Sequence, residues 1–109
     1  MPRPRKPKVR AVSIEPAVLE SLVDPQVAAA YIQDCLQERG PARSRLLLRA
    51  LMNVARAQGI RSLAKGSESR RRLIYKVLAD DGNPSLTTLD SILNAMGLAI
   101  DVRPLDKAS

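Results

Sequence analysis

Apolar residues recur at intervals of three and four from Leu19 to Met96 and then at every second position. Proline, glycine and capping residues cut the first regime into helices. Residues 15–23 supply a helical turn or two anchored by Leu19 and Leu22. Asp24-Pro25 reads as an N-cap followed by proline at the first helical position, and Ala28, Tyr31, Ile32, Cys35 and Leu36 form a stripe that runs up to the stop at Gly40-Pro41. A longer helix is expected from Ala42 to Gln58, with Leu47, Leu48, Leu51, Val54 and Ala55 inward and Arg45, Arg49 and Arg56 on the other side.

Two short helices follow. The first is Ile60 to Lys65; the chain turns through Gly66-Ser67-Glu68-Ser69 and resumes from Arg70 to Leu78, before a break at Asp80-Asp81-Gly82-Asn83-Pro84. Ala64 is the small residue that lets such a pair approach closely, and Ile74 and Val77 are its apolar anchors. With Ile74 inward and about 100° per residue, Ser69, Arg72, Tyr75 and Lys76 point outward, Arg71 lies on the flank and Arg70 stands at the helix start. Ser85 caps a last helix whose Leu86, Leu89, Ile92, Leu93 and Met96 face the core and whose terminator is Gly97.

After Gly97, Leu98, Ile100 and Val102 alternate with Ala99, Asp101 and Arg103, the period of a strand. A lone strand leaves its backbone groups unpaired. The simplest partner is the same strand of a second copy, which predicts a homodimer with a two-fold axis. The expected fold is therefore all-α: five helices between Pro25 and Met96, with a short C-terminal strand.

With no Phe, no Trp and only two tyrosines, the core is aliphatic and there is no ring platform on which single-stranded nucleic acid could stack. His is absent and Cys35 is the one cysteine, which removes intrachain disulfides and the usual His- and Cys-based metal or nucleophile sites. Cys35 reads as a small core residue. Asp80-Asp81 is the one adjacent acidic pair and lacks further ligands at a recognisable spacing. No enzymatic activity, metal or cofactor is expected. Glu15, Pro16 and Glu20 interrupt any signal-like apolar run, and no stretch has the length of a membrane span.

The net charge of +7 is concentrated in two places. Residues 1–10 hold Arg3, Arg5, Lys6, Lys8 and Arg10 with no acid; residues 61–76 hold Arg61, Lys65, Arg70, Arg71, Arg72 and Lys76 against Glu68. Two basic patches attract a polyanion. Residues 1–12, with prolines at 2, 4 and 7, are expected to be a disordered basic arm that tracks phosphates or serves solubility, ahead of a domain over residues 13–104 and a tail at 105–109. Cations at a helix N-terminus oppose its dipole, and a phosphate backbone would offset that cost.

Leu63-Ala64, Ile74-Tyr75-Lys76-Val77-Leu78, Asp81-Gly82-Asn83-Pro84-Ser85, Thr88 and Met96-Gly97-Leu98 resemble the addiction-module antidote family, HigA-type antitoxins with a lambda-repressor-like helix-turn-helix. Asp24-Pro25, Ala30-Tyr31-Ile32 and Asn53 through Ile60 fit the same pattern, so the resemblance spans roughly residues 20–104. Two positions depart from it. Such families usually carry a residue tolerant of positive φ where Glu68 stands and an apolar one where Ser69 stands, and Gly66 comes two positions early. Either the turn is rebuilt around Gly66 or the first helix is shortened.

The resemblance implies a small cytoplasmic dimer that binds its own operator as duplex DNA and neutralises a RelE/ParE-like toxin. It places Arg70, Arg71, Arg72, Tyr75 and Lys76, with Ser69, at positions that face DNA. Arg71 and Arg72 are the expected guanine readers, and Arg61 and Lys65 the phosphate holders. Toxins of that superfamily bind RNA and tend to be basic, which makes residues 12–40, with Glu15, Glu20, Asp24, Asp34 and Glu38 against Arg39, the expected toxin surface. Two alternatives share the fold and charge: a stand-alone regulator or nucleoid-type DNA binder without a toxin, and a protein-interaction adaptor whose arginines serve solubility.

Overall fold

The computed structural model describes residues 15–105. The basic arm expected over residues 1–12 and the tail from residue 106 lie outside the described residues. Six helices are present among the described residues: α1 Pro16–Ser21, α2 Pro25–Cys35, α3 Arg43–Gln58, α4 Ile60–Leu63, α5 Glu68–Val77 and α6 Leu86–Ala95. The count exceeds the expected five because the segment around Leu19 and Leu22 closes into α1, with Leu22 fully buried.

Capping side chains set the starts. Asp24 accepts from the backbone N–H of Gln26 at 2.9 Å with Pro25 behind it, and Ser85 accepts from Thr88 N–H at 3.1 Å. α2 ends at Cys35, short of the Gly40-Pro41 stop, because Leu36 N–H already turns back to the carbonyls of Ile32 and Gln33. α6 ends as expected at Gly97: Leu98 N–H donates to Leu93 C=O at 2.8 Å and Gly97 N–H to Asn94 C=O at 3.0 Å, the paired bonds of a Schellman motif.

α3 is the hub. α1, α2 and α4 pack against it, and α5 packs against α4. Its face of Leu48, Ala50, Leu51, Val54 and Ala55 is buried, joined by Leu22, Ala28, Ile32, Cys35, Ile60, Ala64, Ile74, Leu78, Ile92 and Met96. The core is aliphatic throughout, with Cys35 inside it. The expected stripe of α6 fails at one end. Leu86 is 71 % exposed: helix phase aligns it with Leu93, which is itself only half-buried, so the edge of the stripe runs out of the core.

Polar links tie the helices where the core does not. Asn53 Nδ2 donates to the Tyr31 hydroxyl at 2.9 Å, joining α3 to α2, and Gln58 Nε2 donates to Met96 C=O at 3.1 Å, joining the end of α3 to the end of α6. Arg49 lies on the outer side of α3 as its spacing implies, where its Nε and Nη2 each meet a carboxylate oxygen of Asp80 at 2.9 Å. That bidentate pair fastens the turn after α5 to the hub. The first of the two adjacent acids is thus held by an arginine.

Among the described residues none is in a strand, the expected C-terminal segment included. In a single chain, residues 98–105 have no neighbouring strand to complete a ladder. Ile100 and Val102 stay exposed there, Val102 at 87 %.

Candidate nucleic-acid interface

The cationic segment folds around a rebuilt turn. α4 has only four residues and closes with Lys65 N–H to Ser62 C=O at 3.0 Å and Gly66 N–H to Arg61 C=O at 3.2 Å. This is again the paired bonding of a Schellman motif, and it needs the left-handed region just past the helix end. Lys65 at φ +53° and Gly66 at φ +75° both occupy it. Both alternatives left by the early glycine therefore occur together: the first helix is short and the turn is built on Lys65-Gly66. Ser67 then caps α5, accepting from Arg70 N–H at 3.2 Å. Glu68 becomes the first residue of α5 instead of a turn residue, an acid in the first turn that suits the helix dipole.

Ile74 is the buried residue of α5, with Val77 half-buried beside it and Leu78 buried as the C-cap. Burying one isoleucine contributes about 1.5–3 kcal/mol, enough to dock one face of a short helix and leave the rest in solvent. Ser69, Arg70, Arg72 and Lys76 are exposed, and Tyr75 is 40 % exposed. The outward set therefore falls where helical phase puts it.

The three consecutive arginines do not form one cluster. Arg70 lies with Lys65 along a groove between α5 and α6, whose wall includes the half-exposed Leu73 and Thr87, Thr88 and Ser91. Arg72 is exposed and makes no ion pair among the described residues. Arg71 is turned toward α3 and α4. Its Nε donates to Glu68 Oε1 at 3.2 Å and its Nη2 to Glu68 Oε2 at 3.1 Å, while its guanidinium lies 5.5 Å from the centre of the Tyr75 ring.

Those bonds from Arg71, supported by the nearby charges of Arg72 and Arg61, hold the Glu68 carboxyl below the ordinary carboxylate range; Glu68 in turn raises Arg71. Arg71 is thus committed on one edge of its fork. Arg61 sits on the same side, exposed and close to Arg71. The hydroxyls of Ser67 and Ser69 share a hydrogen bond at 3.1 Å. The spacing of the sequence overlooked two neighbours of this site: Glu68, taken for a turn residue, and Arg56, in the last turn of α3, which shares a cleft with Arg61, Arg71 and Tyr75. The signal for Arg56 was its place three residues before the corner at Gly59, which folds α4 back beside it.

A short exposed helix with cations on several sides, anchored by one isoleucine, is the feature that comparison with known proteins has to account for. The profile of the family described as "Probable addiction module antidote protein" matches residues 15–104, nearly the whole described chain. The chain belongs to that family. A protein of Haemophilus influenzae, itself uncharacterised, is 30 % identical over 86 residues, covering 79 % of this chain and 86 % of its own length. No solved structure matches the chain.

Membership supports a toxin–antitoxin role for this antidote-family chain and implies a toxin as its partner. The matched stretch contains all of α1 to α6, so the cationic α5 and the acidic α1–α2 segment both belong to the family domain. Among the described residues no helix is long and apolar enough to cross a membrane, and no group of three or more Cys, Asp or Glu is placed to hold a metal ion.

Proposed function

We propose that this chain is the antitoxin of a type II toxin–antitoxin module that neutralises a RelE/ParE-like toxin by direct binding and represses its own operon through duplex DNA. The observation that carries the DNA half is α5: docked through Ile74, it projects Arg72, Lys76 and Tyr75 into solvent, with Arg70 and Lys65 to one side and Arg61 and Arg71 to the other. In this reading α4 and α5 are a helix-turn-helix of lambda-repressor type. α5 enters a major groove, Arg72 reads a guanine edge, and Arg61 and Lys65 hold phosphates. The antitoxin acts in the cytoplasm by binding, without catalysis or a cofactor.

The homodimer rests on the C-terminal segment. Ile100, Val102 and Leu105 are exposed at 45 %, 87 % and 77 %, and no backbone partner within the bundle is found beyond Leu98 among the described residues. Pairing with the same segment of a second copy satisfies both the side chains and the backbone.

The toxin surface is assigned to α1 and the start of α2. Glu15 and Glu20 are exposed there beside the exposed Val18 and Val23, an acidic and apolar face suited to a basic partner. Asp24 belongs to that stretch but caps α2 with its side chain.

Co-expression with the product of the adjacent small open reading frame tests the toxin half. The expected result is a stable complex and rescue of growth, with Glu20→Lys weakening both. A partner that leaves growth untouched, and is not bound, favours the stand-alone regulator.

A further inference from the structure

Arg56, Arg61, Arg71 and Tyr75 line, with Ile60, a shallow open cleft of about 250 Å³ where α3, α4 and α5 meet. The three guanidinium groups come from three different helices, and the corner at Gly59 is what folds the second beside the first. Arg56 and Arg61 are exposed and make no ion pair among the described residues. Arg71 is fixed from behind by the two bonds to Glu68 and from the side by the Tyr75 ring. Three cations against one carboxylate leave the cleft net positive, so an entering anion relieves repulsion as well as gaining attraction. Guanidinium forks match the geometry of phosphate oxygens. The Tyr75 hydroxyl adds a neutral donor.

We infer that this cleft is a phosphate-anchoring subsite that takes a backbone phosphodiester of the duplex beside the groove entered by α5, with Arg56 and Arg61 as its donors and Arg71, braced by Glu68, as its inner wall. The inference rests on the duplex-binding reading above and deepens it. It adds Arg56 to the interface, and it moves Arg71 from reading bases to holding backbone. Arg72 is then the guanine reader among the three arginines. Glu68 is a positioning residue: it orients Arg71 without meeting the phosphate.

The test uses the full chain and the variants Arg56→Gln, Arg56→Lys and Arg61→Gln, each checked by circular dichroism for unchanged helix content. Affinity is measured across a salt series for the duplex preceding the operon and for a scrambled duplex. Arg56→Gln is expected to weaken both duplexes by the same factor, roughly ten-fold at low salt, and to reduce the slope of log affinity against log salt by about 0.9, one phosphate contact. Arg61→Gln should do the same, and Arg56→Lys should keep the slope. An unchanged slope in both glutamine variants, or a loss confined to the operator sequence, overturns the inference.

A second arm titrates inorganic phosphate while following the Arg71 Nε–H resonance. A saturable shift that disappears in Arg56→Gln supports the cleft. If the wild-type chain binds no duplex at all, the functional reading fails, and this arm alone decides the cleft. A shift that depends on Arg56 then identifies free phosphate as its ligand and overturns the backbone assignment; a flat titration overturns the phosphate site altogether.

Discussion

A helical step of about 100° separates neighbouring residues, so Arg70, Arg71 and Arg72 leave α5 in three directions and meet three surroundings. The same logic places Arg49 outside the α3 stripe, yet its task is set by a residue distant in sequence. Asp80 lies 31 positions on and accepts two hydrogen bonds from it. The Arg49 hydrogen bonds hold the Asp80 carboxyl below its ordinary value, against an opposing effect of burial and with added help from the charges of Arg49 and Arg45. A group with a depressed folded pKa stabilises the fold above its unfolded pKa and loses that contribution as pH falls through the folded one. Both partners are substantially exposed, so the effect is screened and small. The urea midpoint of Asp80→Asn should therefore fall below that of wild type at pH 7, with the gap narrowing below about pH 4 and closing in stronger acid. A gap unchanged at pH 2 would show that something other than the ion pair causes it. Helical phase made the outward residues of α5 legible beforehand; the partners of Arg49 and Arg71 were not, because pairing at the surface follows the tertiary path of the chain.

Among the elements, the hinge between α4 and α5 is where local chemistry overrode pattern. Hydrophobic period locates helices but carries no record of backbone sign. The left-handed residues therefore surfaced only as a misplaced glycine. Lys65 adopts φ +53° at a position where glycine is the common choice, and a side chain in that region costs about 1–2 kcal/mol. Lys65→Gly should thus stabilise the protein by roughly 0.5–1 kcal/mol after the extra unfolded-state freedom of glycine is set against the relief. It should also weaken every duplex alike, since the proposed function has Lys65 hold a phosphate. Thermal unfolding and duplex titration of the same sample check the two effects together; a destabilised Lys65→Gly would mean that the turn relies on the lysine side chain. The long helices α2, α3 and α6 were readable because their apolar period held over many residues, with Asp24 and Ser85 capping two of the starts and Gly59 and Gly97 marking two of the ends. α1 was marginal in the sequence because six residues make fewer than two turns.

For the whole molecule, one bundle presents two unlike surfaces, an acidic and apolar stretch at α1–α2 and a cationic α5, and it leaves its C-terminal segment without a ladder partner among the described residues. The alternation of Leu98, Ile100 and Val102 could be read, but the outcome of that pattern depends on a second chain that one sequence does not contain. Under the proposed pairing, the full chain should sediment as a dimer and a chain ending at Gly97 as a monomer. A truncated chain that still sediments as a dimer would locate the interface elsewhere. The central claim, that α5 enters a groove of duplex DNA and reads it, depends on Arg72, an outward-facing arginine of α5 that makes no ion pair among the described residues. The most direct measurement is the affinity of wild type and Arg72→Ala for the duplex preceding the operon and for its single-base variants. The account predicts a loss of about 1–3 kcal/mol with preference relaxed at one base pair; equal affinity and unchanged preference in Arg72→Ala would contradict it.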